Sequence, residues 1–219
     1  MKVFHLSVEC FPVAKVGGLA DVVGALPKYQ KKLGIDAKVV MPWYNKPFVQ
    51  ENEFEVVFDG FIHQIHHMYQ VMVLKEKHNV LGYELYLVKI PGLLDRDNVY
   101  GYFDENQQFI AFQQAVLHWL SAMQIRPDVL HCHDSHVGLV PFMVEYCPDF
   151  EFLKERRIRS IGIAFRSEIP KEEGTPIEVK NAPGLDWKWG TRFLSDGKFW
   201  FNWYSLDNYR DKSNPLNFW

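Results

Sequence analysis

The first 41 residues limit the possible folds more tightly than any other part of the chain. Lys2 to Val8 is a short apolar run and reads as a buried strand. Pro12 to Gly18 is a loop with two adjacent glycines. Leu19, Val22, Val23, Leu26 and Tyr29 then recur at helical spacing as far as Lys31 and Lys32, and Gly34 stops the helix. Ala37 to Met41 is a second strand. Strand, glycine loop, helix and strand in that order make a βαβ unit, which dictates a parallel sheet with a right-handed crossover. A similar arrangement returns later. Val129 to His133 reads as a buried strand, Asp134 to Gly138 as the turn at its end, and Leu139 to Tyr146 as a short apolar helix stopped by Pro148.

Between these units, Phe54 to Phe58, Met68 to Lys75 and Gly82 to Ile90 are β-rich runs with polar breaks. They read as hairpin-like strands, partly an excursion from the main sheet. Residues 91–104 have loop composition. Phe109, Phe112, Ala115, Val116, Trp119, Leu120 and Met123 then mark a long amphipathic helix over 105–124. Near residue 151 the texture shifts. Residues 1–150 carry 12 Lys+Arg and 17 Asp+Glu, residues 151–219 carry 12 and 10, so a net acidic part gives way to a slightly basic one. Trp187, Trp189, Trp200, Trp203 and Trp219 all lie in that last part. Arg159 to Phe165 alone reads as a strand there. With neither a 3.6 nor a 2 period after it, residues 167–219 are expected to be the least regular part, with several of these Trp exposed. The fold class is α/β: a Rossmann-like domain over 1–155 and a divergent, Trp-rich tail over 156–219.

Composition removes several classes of function. In 219 residues, 47% are hydrophobic and 23% charged, too apolar for a disordered chain. The net charge of −3 offers no basic field to nucleic acid or anionic lipid. No run of 18 apolar residues proposes a membrane span. His5, Ser7 and Glu9 break the N-terminal apolar stretch, so it reads as a strand of the mature fold rather than a signal peptide. Cys10, Cys132 and Cys147 are too few and scattered for a disulfide framework and read as small buried hydrophobes. A cytoplasmic protein is expected.

In an open α/β sheet ligands sit beyond the carboxyl ends of the strands, and two loops fall there. In residues 9–18 the glycines let backbone N–H groups approach a ligand, the following helix N-terminus favours an anion, and Lys15 adds positive charge. That suits a phosphate or diphosphate; a tight strand-to-helix turn with a solvent-exposed lysine is the plain alternative. The second loop runs from His131 to Gly138. Its order His-x-His-Asp-x-His invites a zinc or iron site, and period two puts His131 and His133 on one face of a strand. Hydrogen bonding to a polar substrate, with Asp134 accepting from hydroxyls, is preferred over a metal, and His131 reads as a satisfied core histidine. His63, His66 and His67 read as a solvated surface segment. No Walker-type loop, nucleophile elbow or zinc-finger spacing occurs.

FHLSVECFPVAKVGGLADVVGALPKYQKKLG resembles the N-terminal signature of the glycogen and starch synthases. PDVLHCHDSHVGLVPF resembles their second N-terminal-domain signature, and NVYGYFDENQQFIAFQQAVLHWL between them is also similar. The resemblance covers residues 1 to about 153. It implies the Rossmann-like N-terminal half of a two-domain, GT-B type retaining glucosyltransferase. Such enzymes move glucose from ADP-glucose or UDP-glucose to the non-reducing end of an α-1,4-glucan, with no cofactor or metal. By resemblance Lys15, Gly17 and Gly18 would lie against the diphosphate and glucose of the donor. Asp134 would bind the donor glucose or help the chemistry, and Glu9, Asp21 and His133 would lie near the acceptor or the cleft.

The chain also departs from the family. Ser135 stands where a bulky aromatic is usual. The stretch Ser160 to Arg166 has neither the histidine nor the asparagine of the family's Thr-x-His-Asn turn. Only Trp187 to Gly190 and Asn214 to Leu216 faintly match the family afterwards, and nothing answers to a second domain. A truncated gene, a frame error near residue 155 or a diverged half-enzyme would each leave this pattern, and each implies an isolated chain that transfers glucose poorly. The other readings are a non-catalytic glucan-binding remnant or partner subunit, and a related two-domain glycosyltransferase with another sugar.

Overall fold

A computed structural model of the chain describes residues 1–64 and 67–154 in full and the backbone of 159–163. Five strands form a parallel sheet: β1 (Lys2–Leu6), β2 (Asp36–Pro42), β5 (Glu84–Lys89), β6 (Val129–His133) and β7 (Arg159–Ile163). Two more, β3 (Phe54–Gln64) and β4 (His67–Glu76), pair antiparallel with each other, and β4 pairs antiparallel with β5. The order across the sheet is β3-β4-β5-β2-β1-β6-β7. The hairpin is therefore the continuous edge of the main sheet, and the third β-rich run is a full parallel member of it. The expected excursion is in that sense corrected: β4 bonds to β5 directly. Glu84 on β5 reinforces this seam, taking Lys38 of β2, Lys75 of β4 and the Tyr86 hydroxyl. Burial pushes its pKa up, but those hydrogen bonds outweigh burial and hold the carboxyl at about 2.

Alternation along the strands splits the core into two layers. Phe4, Leu6, Val40, Val88, Leu130 and Cys132 face α3 (Glu105–Ala122), whose Phe112, Ala115, Val116, Trp119 and Leu120 complete that layer. Val39, Met41, Leu85 and Leu87 belong to the opposite layer with Val23 of α1 (Gly18–Lys32). The helix α3 buries the face its periodicity marks except at Met123, which caps its C-terminus and is 50% exposed. α1 lies where its spacing placed it and ends before Gly34, which takes φ +75°. Its buried face is a different one, however: Ala20, Val23, Gly24 and Pro27 pack inward, while Val22 and Tyr29 are 53% and 64% exposed. Small residues win because the helix sits against the backbone of the loop before it, where Phe11 N–H donates to the Ala20 carbonyl at 2.9 Å. A five-residue helix α2 (Pro47–Glu51) begins on a proline that has no N–H to waste. It is too short to show a period. α4 (Val140–Tyr146) follows the β6 turn, and α5 (Glu151–Lys154) closes the fully described chain. The expectations for residues 167–219 and their tryptophans lie outside the described residues.

The α1 contact makes a sharp test. In an exposed helix Gly→Ala gains up to about 1 kcal/mol. At Gly24 a Cβ would run into the Phe11 carbonyl oxygen, a backbone atom that can yield only by moving the loop. Overpacking of this kind costs about 1–3 kcal/mol. Gly24→Ala is therefore expected to lower the urea midpoint; a raised midpoint would show that α1 and the glycine loop are not in close contact.

Candidate active site at the carboxyl ends of β1 and β6

β1 and β6 are neighbours and parallel, with Val3 opposite Val129 and Leu6 opposite Cys132. The glycine loop and the histidine turn therefore leave the sheet at the same end. The first loop folds back on itself through Cys10 N–H to the Ala14 carbonyl at 3.0 Å and its reciprocal at 2.9 Å. Glu9, only 3% exposed, sits beneath it. One carboxylate oxygen, Oε2, accepts Val16 N–H at 2.6 Å and Gly17 N–H at 2.8 Å; the other accepts the Tyr100 hydroxyl at 2.6 Å. A buried carboxylate needs such partners, and these are charge-assisted bonds. Glu9 thus holds the loop from inside. The Gly17 amide points at Glu9, so donors for an anion fall to the first turn of α1, whose N-cap Gly17 makes no side-chain cap hydrogen bond among the described residues. Neither Gly17 nor Gly18 has positive φ, and among the described residues a Cβ on either would meet nothing within 4 Å. Packing among the described residues does not call for glycine here, and bare backbone suits a closely approaching ligand.

Lys15 and Asp21 are brought together. The ammonium lies 2.7 Å from both Asp21 oxygens, on the surface, with the Phe11 ring 5.6 Å away. Such an exposed pair is worth at most about 1 kcal/mol, so a diphosphate can take Asp21's place on Lys15 at little cost.

The second loop holds its functional candidate under strain. Asp134 adopts φ 67°, ψ 175°, a region almost reserved for glycine, and its carboxylate accepts the Ser135 N–H at 2.5 Å. The turn is fixed from behind. Buried Gln113 of α3 accepts Leu139 N–H at 2.8 Å, and the His136 ring packs at 4.8 Å from Phe109 and 5.1 Å from Tyr100. His136 is thereby kept apart from His131 and His133, and the four-residue metal set read from the loop does not assemble.

His131 and His133 combine instead with His5, which no sequence spacing links to them. His5 stands opposite His131 in register, and the three rings lie 4.1–5.2 Å apart. Their nearest donor nitrogens all fall within 4.8 Å. Ring planes decide what this cluster is suited to. His131 and His133 are stacked at an interplanar angle of 20°, so their in-plane lone pairs run side by side rather than converging on an ion. His5 also spends its nitrogens: Nε2 donates to Gln30 Oε1 at 2.6 Å, leaving Nδ1 to accept from His133 Nε2–H at 2.9 Å. The arrangement fits a stack of neutral imidazoles under α1. Sequence reasoning took His131 as satisfied; its Nε2 is buried with no hydrogen-bond partner among the described residues. His133, read as a cleft residue, is 3% exposed within this stack. Tyr100 escaped sequence reasoning because nothing distinguishes it in a segment of loop composition.

Burial, aided by the neighbouring imidazoles, pushes His131 down to about 4 and His133 well below the ordinary range; burial lowers His5 too. The unfolded chain therefore takes up protons first. Stability is full above pH 6.5 and falls as pH drops toward 4. His131 alone is expected to cost about 2 kcal/mol at pH 5. Denaturant titrations between pH 7 and 5 should show this limb, and His131→Leu should make it shallower. An unchanged slope in that variant would contradict the neutral stack.

Known proteins resemble this chain in sequence and in fold. The family model for the starch synthase catalytic domain matches residues 2–188, further along the chain than the resemblance read from the sequence. A glycogen synthase of Flavobacterium johnsoniae is 51% identical over 155 residues, 71% of this chain and 33% of that protein. One from Geobacillus thermodenitrificans is 35% identical over 175 residues, 78% of this chain and 36% of that protein. The chain thus spans about a third of the length of these relatives. Among solved structures, the catalytic domain of starch synthase IV from Arabidopsis thaliana, bound to ADP and acarbose, matches with TM-score 0.63. It is 24% identical, over 72% of this chain and 32% of that one, and the two share the α/β fold of the matched part. By the span of the family match and the identity to these relatives, the chain belongs to the starch synthase catalytic domain family.

Proposed function

We propose that this chain provides the N-terminal half of an active site that transfers glucose from ADP-glucose to the non-reducing end of an α-1,4-glucan. The observation that carries the reading is the meeting of two loops at the ends of adjacent parallel strands, one cationic with bare backbone, the other holding a strained carboxylate. In this reading Lys15 exchanges Asp21 for the donor diphosphate. The uncapped first turn of α1 adds N–H donors and the positive end of the helix dipole. Fixed donors aimed at charge that develops on the leaving diphosphate are the kind of interaction that accelerates such a transfer. Asp134 faces the transferred glucose, held in place by a backbone that would relax if it were free to. Gly17, Glu9 and His133 act behind the surface, shaping the loop and its floor. A cytoplasmic location belongs to the same proposal and is supported by three unpaired cysteines. No helix among the described residues is long and apolar enough to cross a membrane.

A chimera tests the proposal without depending on the length of this chain. Residues 1–153 replace the matching segment of the Flavobacterium johnsoniae glycogen synthase, and incorporation of labelled glucose into glycogen is measured. The chimera is expected to use ADP-glucose, and Lys15→Ala within it to lose about 100-fold or more of its activity, the size seen when one charge-stabilising donor is removed. A folded chimera with no transfer, or one indifferent to Lys15→Ala, would contradict the assignment.

A further inference from the structure

We propose that Tyr100 is a positioning residue that locks the glycine loop and the Asp134 turn into a single site. Tyr100 lies on the segment between β5 and α3 and belongs to neither loop, yet it touches both. Its hydroxyl donates to Glu9 Oε1 at 2.6 Å, while Glu9 Oε2 carries the Val16 and Gly17 amides. Its ring lies 5.1 Å from His136, two residues beyond Asp134, and meets Phe109 of α3 edge-on at 6.2 Å.

The segment that carries Tyr100 is itself braced. Buried Val99 precedes it. Gly101 N–H donates to Glu105 Oε2 at 2.7 Å, and Arg96 pairs with Asp104 at 2.9 Å. A tyrosine fixed in this way can transmit position. Among the described residues three donors reach the two Glu9 carboxylate oxygens, and the Tyr100 hydroxyl is the one that does not come from the loop Glu9 holds. Without it, one buried carboxylate oxygen loses its partner and the carboxylate is free to turn. The Val16 and Gly17 amides then lose their fixed acceptor. Asp134 adds its charge to those of Glu9 and Glu105 in raising the Tyr100 pKa, after burial and the Glu9 hydrogen bond, so the hydroxyl keeps its proton and remains a donor.

The inference rests on the donor reading above only for its ligand arm. Tyr100→Phe in the 219-residue chain keeps the ring on His136 and Phe109 and removes the hydroxyl alone. Amide hydrogen exchange at Val16 and Gly17 is expected to quicken about tenfold or more, the scale of one lost hydrogen bond to a charged group. Amides of β1 and β6 should stay as protected as in the wild type. Titration with ADP-glucose should show about 5- to 10-fold weaker binding. Glu9→Gln is the conservative partner variant. Its Oε1 can accept both loop amides and its Nε2 can donate to the Tyr100 oxygen, so their protection should stay within about threefold. Adding Tyr100→Phe to Glu9→Gln should then expose the loop as Tyr100→Phe does alone. Unchanged exchange at Val16 and Gly17 in Tyr100→Phe would overturn the proposal. So would a rise spread evenly over the sheet amides, which would make Tyr100 merely a packing residue. A wild-type chain that fails to bind ADP-glucose would contradict the donor reading, while the exchange pattern would still decide the role of Tyr100.

Discussion

Val3 to Leu6 of β1 lie in register with Val129 to Cys132 of β6, and both strands run the same way. Most of the site follows from this pairing. It brings a loop from residues 9–17 beside a turn from residues 134–138, far apart in sequence, at one end of the sheet. It also settles the two faces. Phe4, Leu6, Leu130 and Cys132 enter the apolar layer under α3, while His5, His131 and His133 gather under α1. One pairing thus creates both the cleft end and a polar floor beneath the helix whose N-terminus opens the site.

The electrostatics are arranged in depth. Glu9 is buried and fully engaged, so its charge is spent on holding backbone amides and a tyrosine hydroxyl. Lys15 and Asp21 are at the surface, where their attraction is weak and replaceable. Below them the imidazoles are held neutral by burial. In the proposed donor site an arriving diphosphate would meet one exchangeable cation and the first turn of α1, with the loop geometry set in advance by groups it does not touch. That division between a fixed interior and an exchangeable surface is what preorganisation requires.

The sequence showed the strands and the two main helices because burial on one or both faces leaves a period in the residues. Val129 to His133 and Phe109 to Leu120 are of this kind. It failed where contacts are made by small residues or by partners distant in sequence. The buried face of α1 runs through Ala20 and Gly24, which carry no hydrophobic signal. The membership of β4 in the main sheet depends on pairing with β5, which no local pattern records. Lys15, the glycines and Asp134 could be marked as candidates because the carboxyl ends of strands are where an open α/β sheet takes its ligands. His5 and Tyr100 were not: one is a polar residue inside an apolar strand, the other a tyrosine in a loop, and only the fold gives each its partners.

If the glycine loop and the Asp134 turn form one donor site, both must respond to the same ligand. The measurement is an ADP-glucose titration followed by backbone amide NMR on the 219-residue chain. Saturable shifts with a single dissociation constant are expected at Gly18 to Ala20 and at Ser135 to Gly138 together, with their common loss in Lys15→Ala. Shifts confined to one of the two loops, or shifts that survive Lys15→Ala, would contradict a single donor site.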